Sequence, residues 1–211
     1  MKIALLGATG TIGQRILKEA LNRNHEVTAV VRDPAKLTVQ DANLHVATAD
    51  VLHADQVADA VRGHDIVISS IGPDPGQERT FIDMSKSLIE GVKRSGVRRL
   101  IAVNGAGSLE VAPGVQLMNT PDFPEEWKAI AQTAAEVLDI YRQESELDWT
   151  NISPAAFIAP GERTGKYRTG TNQLVTDEKG ESRISAEDFA VAILDEAENP
   201  KFIRQRFTVA Y

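Results

Sequence analysis

The chain has 211 residues, 25% of them charged and 42% hydrophobic, with a net charge of −7. This is a globular composition, which excludes wholesale disorder and any bulk attraction to nucleic acid or an anionic membrane surface. There is no cysteine, so disulfides, thiolate nucleophiles and cysteine-held metals are excluded as well. No apolar run approaches the ~18 residues of a membrane span, and a strand-like run begins straight after Lys2. We therefore expect a cytoplasmic protein of one domain over residues 1–211, with about 155–211 contributing the substrate side.

Ile3 to Leu6 is a continuous apolar run that suits a strand buried on both faces. Thr11 to Arg23 carries apolar residues at three- and four-residue steps and predicts a helix. Strands are predicted at Val27–Val31, Leu44–Ala49 and Ile66–Ser69, with a helix at about Asp55–Arg62 between the last two. A long helix over about Thr80–Ser95 is expected to end on Gly96, followed by a strand at Val97–Val103. A helix over about Glu125–Glu144 turns Trp127, Ile130, Ala134, Val137, Leu138 and Tyr141 inward, and Asp122 with Glu125 resembles a capping box. The sixth strand is Trp149–Ser153. From Pro160 to Ser182 the chain is polar and glycine-rich, predicting a loop with a hairpin, before a helix at Ala186–Ala197 and a strand at Arg206–Ala210. Alternating strands and helices predict a doubly wound, Rossmann-like parallel α/β sheet with a small C-terminal substrate portion. Ligands then bind beyond the carboxyl ends of the strands.

Gly7-Ala8-Thr9-Gly10-Thr11-Ile12-Gly13 stands at the first strand-to-helix turn. Gly7 allows a tight turn, Gly10 lets a pyrophosphate approach the backbone at a helix N-terminus, and Gly13 lets the helix lie close on the sheet. Thr9, Thr11 and Ile12 contribute mainly backbone amides. In this position the pattern predicts dinucleotide binding.

The same residues resemble the short-chain dehydrogenase/reductase superfamily, above all its atypical branch. Val30-Val31-Arg32-Asp33-Pro34, Asp50-Val51, Ser70-Ile71-Gly72 and Ser153-Pro154-Ala155-Ala156 look like the NmrA-like NAD(P)-binding group. Asn104 to Ser108 and Ala159 to Gly165 resemble the NADH–flavin reductase family, distantly related to the flavin reductase that also reduces biliverdin. The resemblance spans nearly the whole chain. It implies that Asp50 and Val51 contact adenine, that Ser70, Ile71 and Gly72 pass beneath the ribose and pyrophosphate, and that Asn104 and Gly105 lie beside the nicotinamide. Pro154, Ala155, Ala156 and Phe157 would then meet the carboxamide. Asp50 equally suits a cap of the following loop.

Arg32 closes the second strand, 19 positions after Gly13, where an NAD-selecting protein carries an acid. A guanidinium there favours NADP(H) over NAD(H), unless Arg32 is a plain surface residue. Asp33, the acid next door, could instead serve NAD(H), but Asp33-Pro34 reads better as an N-cap and first turn of a short helix. Tyr141, Tyr167 and Tyr211 are the tyrosines, and none has a lysine four residues on. An ordinary ketone reductase, which protonates an alkoxide, is disfavoured; an oxidised flavin or quinone takes its proton from water. The four histidines, His25, His45, His53 and His64, have no metal-ligand spacing, and His25 and His64 are expected to be solvated.

No side chain is assigned the chemistry. Lys128 is the candidate, either orienting ribose or a substrate oxygen or standing solvated beside Trp127. Val111, Pro113, Val115, Leu117 and Met118 either wall a planar substrate or form satellite core. Arg163, Lys166 and Arg168 either grip an anionic tail or cover a solvated hairpin. The sequence thus predicts an NADPH-preferring reductase of a free flavin, held as substrate rather than as a bound group, or of a quinone. It would act as monomer or homodimer, with no nucleic-acid, membrane or metal partner. The alternative is a non-catalytic NAD(P)-sensing regulator of the NmrA-like kind.

Overall fold

Successive side chains of a strand point to opposite faces, so a strand that is apolar throughout must be covered on both sides. The computed structural model describes residues 1–211. Its elements, in chain order, are β1 (Lys2–Leu6), α1 (Thr11–Asn22), β2 (Glu26–Val31), β3 (Leu44–Thr48), α2 (Ala54–Val61) and β4 (Ile66–Ser69). There follow α3 (Thr80–Ser95), β5 (Arg99–Val103), β6 (Glu110–Ala112), β7 (Val115–Gln116), α4 (Glu125–Gln143) and β8 (Asp148–Ser153). The chain closes with β9 (Phe157–Ala159), β10 (Arg168–Gly170), β11 (Arg183–Ser185), α5 (Ala186–Glu198) and β12 (Gln205–Ala210).

Eight strands form one sheet in the order β10-β12-β8-β5-β4-β1-β2-β3. All its pairs are parallel except β10 with β12. Ile3 and Leu5 of β1 pack with Ile16 and Leu17 of α1 and with Phe189 and Ile193 of α5. Ala4 and Leu6 pack on the other face with Val57 of α2, Leu88 of α3 and Val137 of α4. Each buried leucine or isoleucine contributes about 1.5–3 kcal/mol, so the alternation fixes the register as well as the layers. The chain departs from β1 toward β2 on one side and later toward β4 on the other, which opens a crevice above the ends of β1 and β4.

Gly96 ends α3 at φ 84°, a left-handed position that suits glycine, as the sequence predicts. Asp33 caps the short 3-10 turn at Pro34–Lys36 by accepting from the Ala35 amide at 3.1 Å. Several local readings are corrected. α4 begins after Pro124, without a side-chain cap, so Asp122 and Glu125 form no capping box. His25 is 9% exposed and bonds Glu198 at 2.8 Å, and half-buried His64 bonds the Thr28 hydroxyl at 2.8 Å; neither is solvated. The 160–182 segment makes no hairpin of its own. β10 instead adds antiparallel to β12, while β11 pairs parallel with the distant β9. Residues 104–120 hold a small hairpin of β6 with β7, which leaves Val111 and Val115 exposed and buries Leu109.

The basic run of that C-terminal segment is occupied structurally. Arg163 Nε and Nη2 donate to the two Glu19 oxygens at 2.7 and 2.8 Å, pinning the segment to α1. Arg23 Nε also donates to Glu19 at 2.8 Å. These two guanidiniums, Arg163 foremost, hold the buried Glu19 carboxyl below the usual range despite the opposing effect of burial. Arg168 donates to the Thr176 carbonyl at 2.7 Å and also to the Tyr211 carbonyl. Lys166 is exposed. Of residues 155–211, only Ala155, Ala156 and Ile158 reach the cleft described next, while α5 and β12 complete the main layers.

Candidate active site

The glycine turn is built by contact. Gly7 has φ 79°, and a β-carbon on it would lie 2.7 Å from the Ser70 backbone. A β-carbon on Gly13 would lie 1.9 Å from the Gly7 carbonyl oxygen. Gly10 differs, because its β-carbon would meet only the Gly7 oxygen at 3.5 Å, an ordinary contact. It caps α1 with no side-chain partner, and the first turn of that helix carries no acid. The amides there stay open to an anion.

This turn forms one wall of a cavity of about 260 Å³, which Gly7, Thr9, Gly10, Arg32, Val51, Ser70, Ile71 and Gly72 line. Thr11, Ile12 and Asp50 do not line it. Asp50 accepts from the Leu52 amide at 3.0 Å, so it caps the loop. Lys36, which the sequence reading missed, stands in the same cavity as Arg32. Its signal was its place four residues past Arg32, on the turn that Asp33 caps. Neither cation forms an ion pair, while Asp33 is occupied by the Ala35 amide.

A second cavity, of about 500 Å³, adjoins the first through their shared Ile71 and Gly72. Asn104, Gly105, Pro154, Ala155 and Ala156 line it, as do Phe81, Phe123, Trp127 and Ile130. Trp127 is 50% exposed and packs edge-on to Phe123 with centroids 6.5 Å apart, so it walls this cleft rather than joining the core. Of the apolar loop residues Leu117 alone lines it. Phe157 is exposed and outside both cavities. Lys128 also lies outside them, paired to Glu125 at 2.5 Å.

Besides the indole N–H of Trp127, the large cleft holds the polar side chains of Asn104, Thr120 and Asp122. Asn104 is held at both ends, donating to the Ala134 carbonyl at 3.0 Å and accepting from the Gly105 amide at 2.8 Å. Thr120 donates its hydroxyl to the Leu117 carbonyl at 2.8 Å. No tyrosine reaches the cleft. Tyr141 is buried in the core, which pushes its hydroxyl well above the usual range. Tyr167 donates to Asp195 at 2.5 Å, and burial with that carboxylate raises it too. Tyr211 donates to Asp188 at 2.7 Å. Nor do three His, Asp or Glu side chains come together anywhere as a metal-holding group.

A doubly wound sheet, a glycine turn with an open helix end and an adjoining apolar cleft define a dinucleotide-binding oxidoreductase of the atypical short-chain dehydrogenase/reductase type. The chain belongs to the NAD(P)H-binding family, whose model matches residues 7–200. It is 42% identical to YwnB of Bacillus subtilis over 99% of this chain and 98% of that one. A Bacteroides thetaiotaomicron structure, provisionally called an epimerase, is 43% identical with TM-score 0.93, covering 100% and 96% of the two chains. A Streptococcus pneumoniae structure, provisionally assigned as an NADH-flavin reductase, is 34% identical with TM-score 0.89, covering 100% and 99%. No helix is long and apolar enough to cross a membrane.

Proposed function

We propose that the protein is an NADPH-dependent cytoplasmic reductase that passes hydride to a small conjugated acceptor, a free flavin or a quinone. One observation carries this reading: the apolar cleft that continues the glycine-turn cavity contains no unspent hydroxyl or ammonium donor. An acceptor that needs a protein acid at a developing alkoxide is poorly served there. One with a delocalised acceptor system needs only placement and exclusion of water. The relative provisionally assigned as an NADH-flavin reductase supports the same reading. An epimerase chemistry is less well supported, since no Tyr-x-x-x-Lys pair is present and no tyrosine lines the cleft.

The cofactor fits the residues present. The open space at Gly10 and the first-turn amides of α1 suit a pyrophosphate. Arg32 and Lys36, both without an acidic partner, suit a ribose 2′-phosphate. Ala49 and Val51 offer an apolar wall to adenine. Gly105 and Pro154 to Ala156 would hold the nicotinamide at the head of the large cleft, with Asn104 fixing the end of β5 against α4. When bound, NADPH supplies the hydride from its nicotinamide ring. Trp127 and Phe123 then stack or abut the acceptor ring, and the apolar lining excludes water from the transfer path.

The test is anaerobic NADPH oxidation across flavins, quinones and aldehydes. Flavins or quinones should be reduced and simple aldehydes should not. NADPH binding with no turnover of any flavin or quinone would overturn the reading in favour of a cofactor sensor.

A further inference from the structure

We infer that the acceptor taken by this cleft is an uncharged conjugated ring system, such as a quinone or an unphosphorylated flavin, and that Asp122 helps to exclude phosphorylated flavins. The inference deepens the reductase reading and rests on it.

The charge around the cleft carries the argument. Among all its lining residues the single charged one is Asp122, an exposed acid at the Trp127 side. The next turn adds Glu125 and Glu126, both exposed, at the start of α4. A helix N-terminus ordinarily welcomes an anion, but here acids already occupy that end. Cations on the adjoining elements lie outside the lining, each beside an acid of its own. Arg79 pairs with Glu136 at 2.5 Å, Lys128 with Glu125 at 2.5 Å, and Arg183, on the strand beside β9, with Glu181 at 3.6 Å. Arg206 is buried behind the loop and donates to the Ser108 hydroxyl at 2.7 Å and the Asn172 side-chain Oδ1 at 2.9 Å.

A flavin ring placed in a cleft of about 500 Å³ must send its side chain toward the solvent side. That is where half-exposed Trp127 and Asp122 stand. A phosphate there carries about −1.5 to −2 charges at neutral pH. It would meet the Asp122 carboxylate in a cleft that no lysine or arginine lines. An uncharged tail or a bare quinone ring meets no such repulsion and buries its faces against Phe123, Trp127 and Ile130.

Riboflavin and FMN share one ring and differ by the phosphate, so their ratio isolates charge. With NADPH as donor, kcat/KM for riboflavin should exceed that for FMN by about tenfold or more at low salt. The gap should shrink severalfold as salt rises from about 0.01 M to about 1 M, where the Debye length falls from about 30 Å to about 3 Å. Asp122→Asn should narrow the riboflavin-to-FMN ratio by about two- to fivefold. FMN turned over as well as riboflavin, or a gap indifferent to salt and to Asp122→Asn, would overturn the inference while leaving the reductase reading intact. Failure to reduce riboflavin, FMN and menadione alike, with NADPH still bound, would instead overturn the reductase reading itself.

Discussion

Gly13 and Gly7 touch so closely that a β-carbon on Gly13 would sit 1.9 Å from the Gly7 carbonyl oxygen, far inside van der Waals contact. The same oxygen would lie 3.5 Å from a β-carbon on Gly10. Two glycines of the turn are thus required by the fold, and the third has room for a side chain that a bound pyrophosphate would not tolerate. Gly13→Ala should destabilise the protein by about 1–3 kcal/mol or more through overpacking. Gly10→Ala should melt within a few degrees of the wild type yet bind NADPH at least about tenfold more weakly. Thermal melts beside fluorescence titrations check both, and undiminished affinity in Gly10→Ala would remove this turn from the binding site.

Arg32 and Lys36 share one cavity and neither is paired with an acid. The wild type should therefore bind NADPH more tightly than NADH. Arg32→Ala should narrow that difference by about 1.5–3 kcal/mol, the range for hydrogen bonds to charged groups. Lys36→Ala should narrow it further. Titration calorimetry with both cofactors decides the matter, and equal wild-type affinities would contradict it.

Trp127 distinguishes a cleft wall from a core position. At 50% exposure it buries only about half of its surface, so Trp127→Ala should cost less than the ~3–5 kcal/mol of a fully buried tryptophan. Its loss from the acceptor cleft should raise KM for riboflavin about tenfold and leave NADPH affinity nearly unchanged. Urea unfolding and steady-state kinetics on the same variant separate the two effects.

Glu19 sets an acid limit. Arg163 and then Arg23 hold its carboxyl below the ordinary glutamate value of 4.5. A carboxyl with a depressed folded-state value contributes stability above its unfolded value, and that contribution is lost as pH falls from about 4.5 through the folded value. Glu19→Gln should cost about 1.5–3 kcal/mol near neutral pH. It should also flatten the fall in stability within that window. Denaturant titrations at pH 7 and at steps downward from about pH 4.5 supply both numbers.

The central strands were legible because burial on both faces forces continuous apolar runs, as in Ile3–Leu6 and Ile66–Ser69. The glycine turn was legible because contact dictates Gly7 and Gly13, and their spacing at the first strand-to-helix turn marks the motif. The short strands were not. β9 and β11 are three residues each and pair across 26 positions, with no period long enough to read. Trp127 was placed with the core because a cleft wall and a core wall require the same apolar stripe on a helix, and only the third dimension tells them apart. His25 and Arg163 found acids on α5 and α1 that are distant in sequence, which local composition cannot foresee.

The measurement that bears most directly on the central claim is single-turnover reduction of riboflavin by NADPH carrying deuterium at one or the other C4 position, from pH 6 to 9. Direct transfer in a cleft with no free hydroxyl or ammonium donor predicts a primary isotope effect with one label only and a rate nearly flat across that range. NADPH that binds at the glycine turn but gives up neither label to riboflavin or to any quinone would contradict the account.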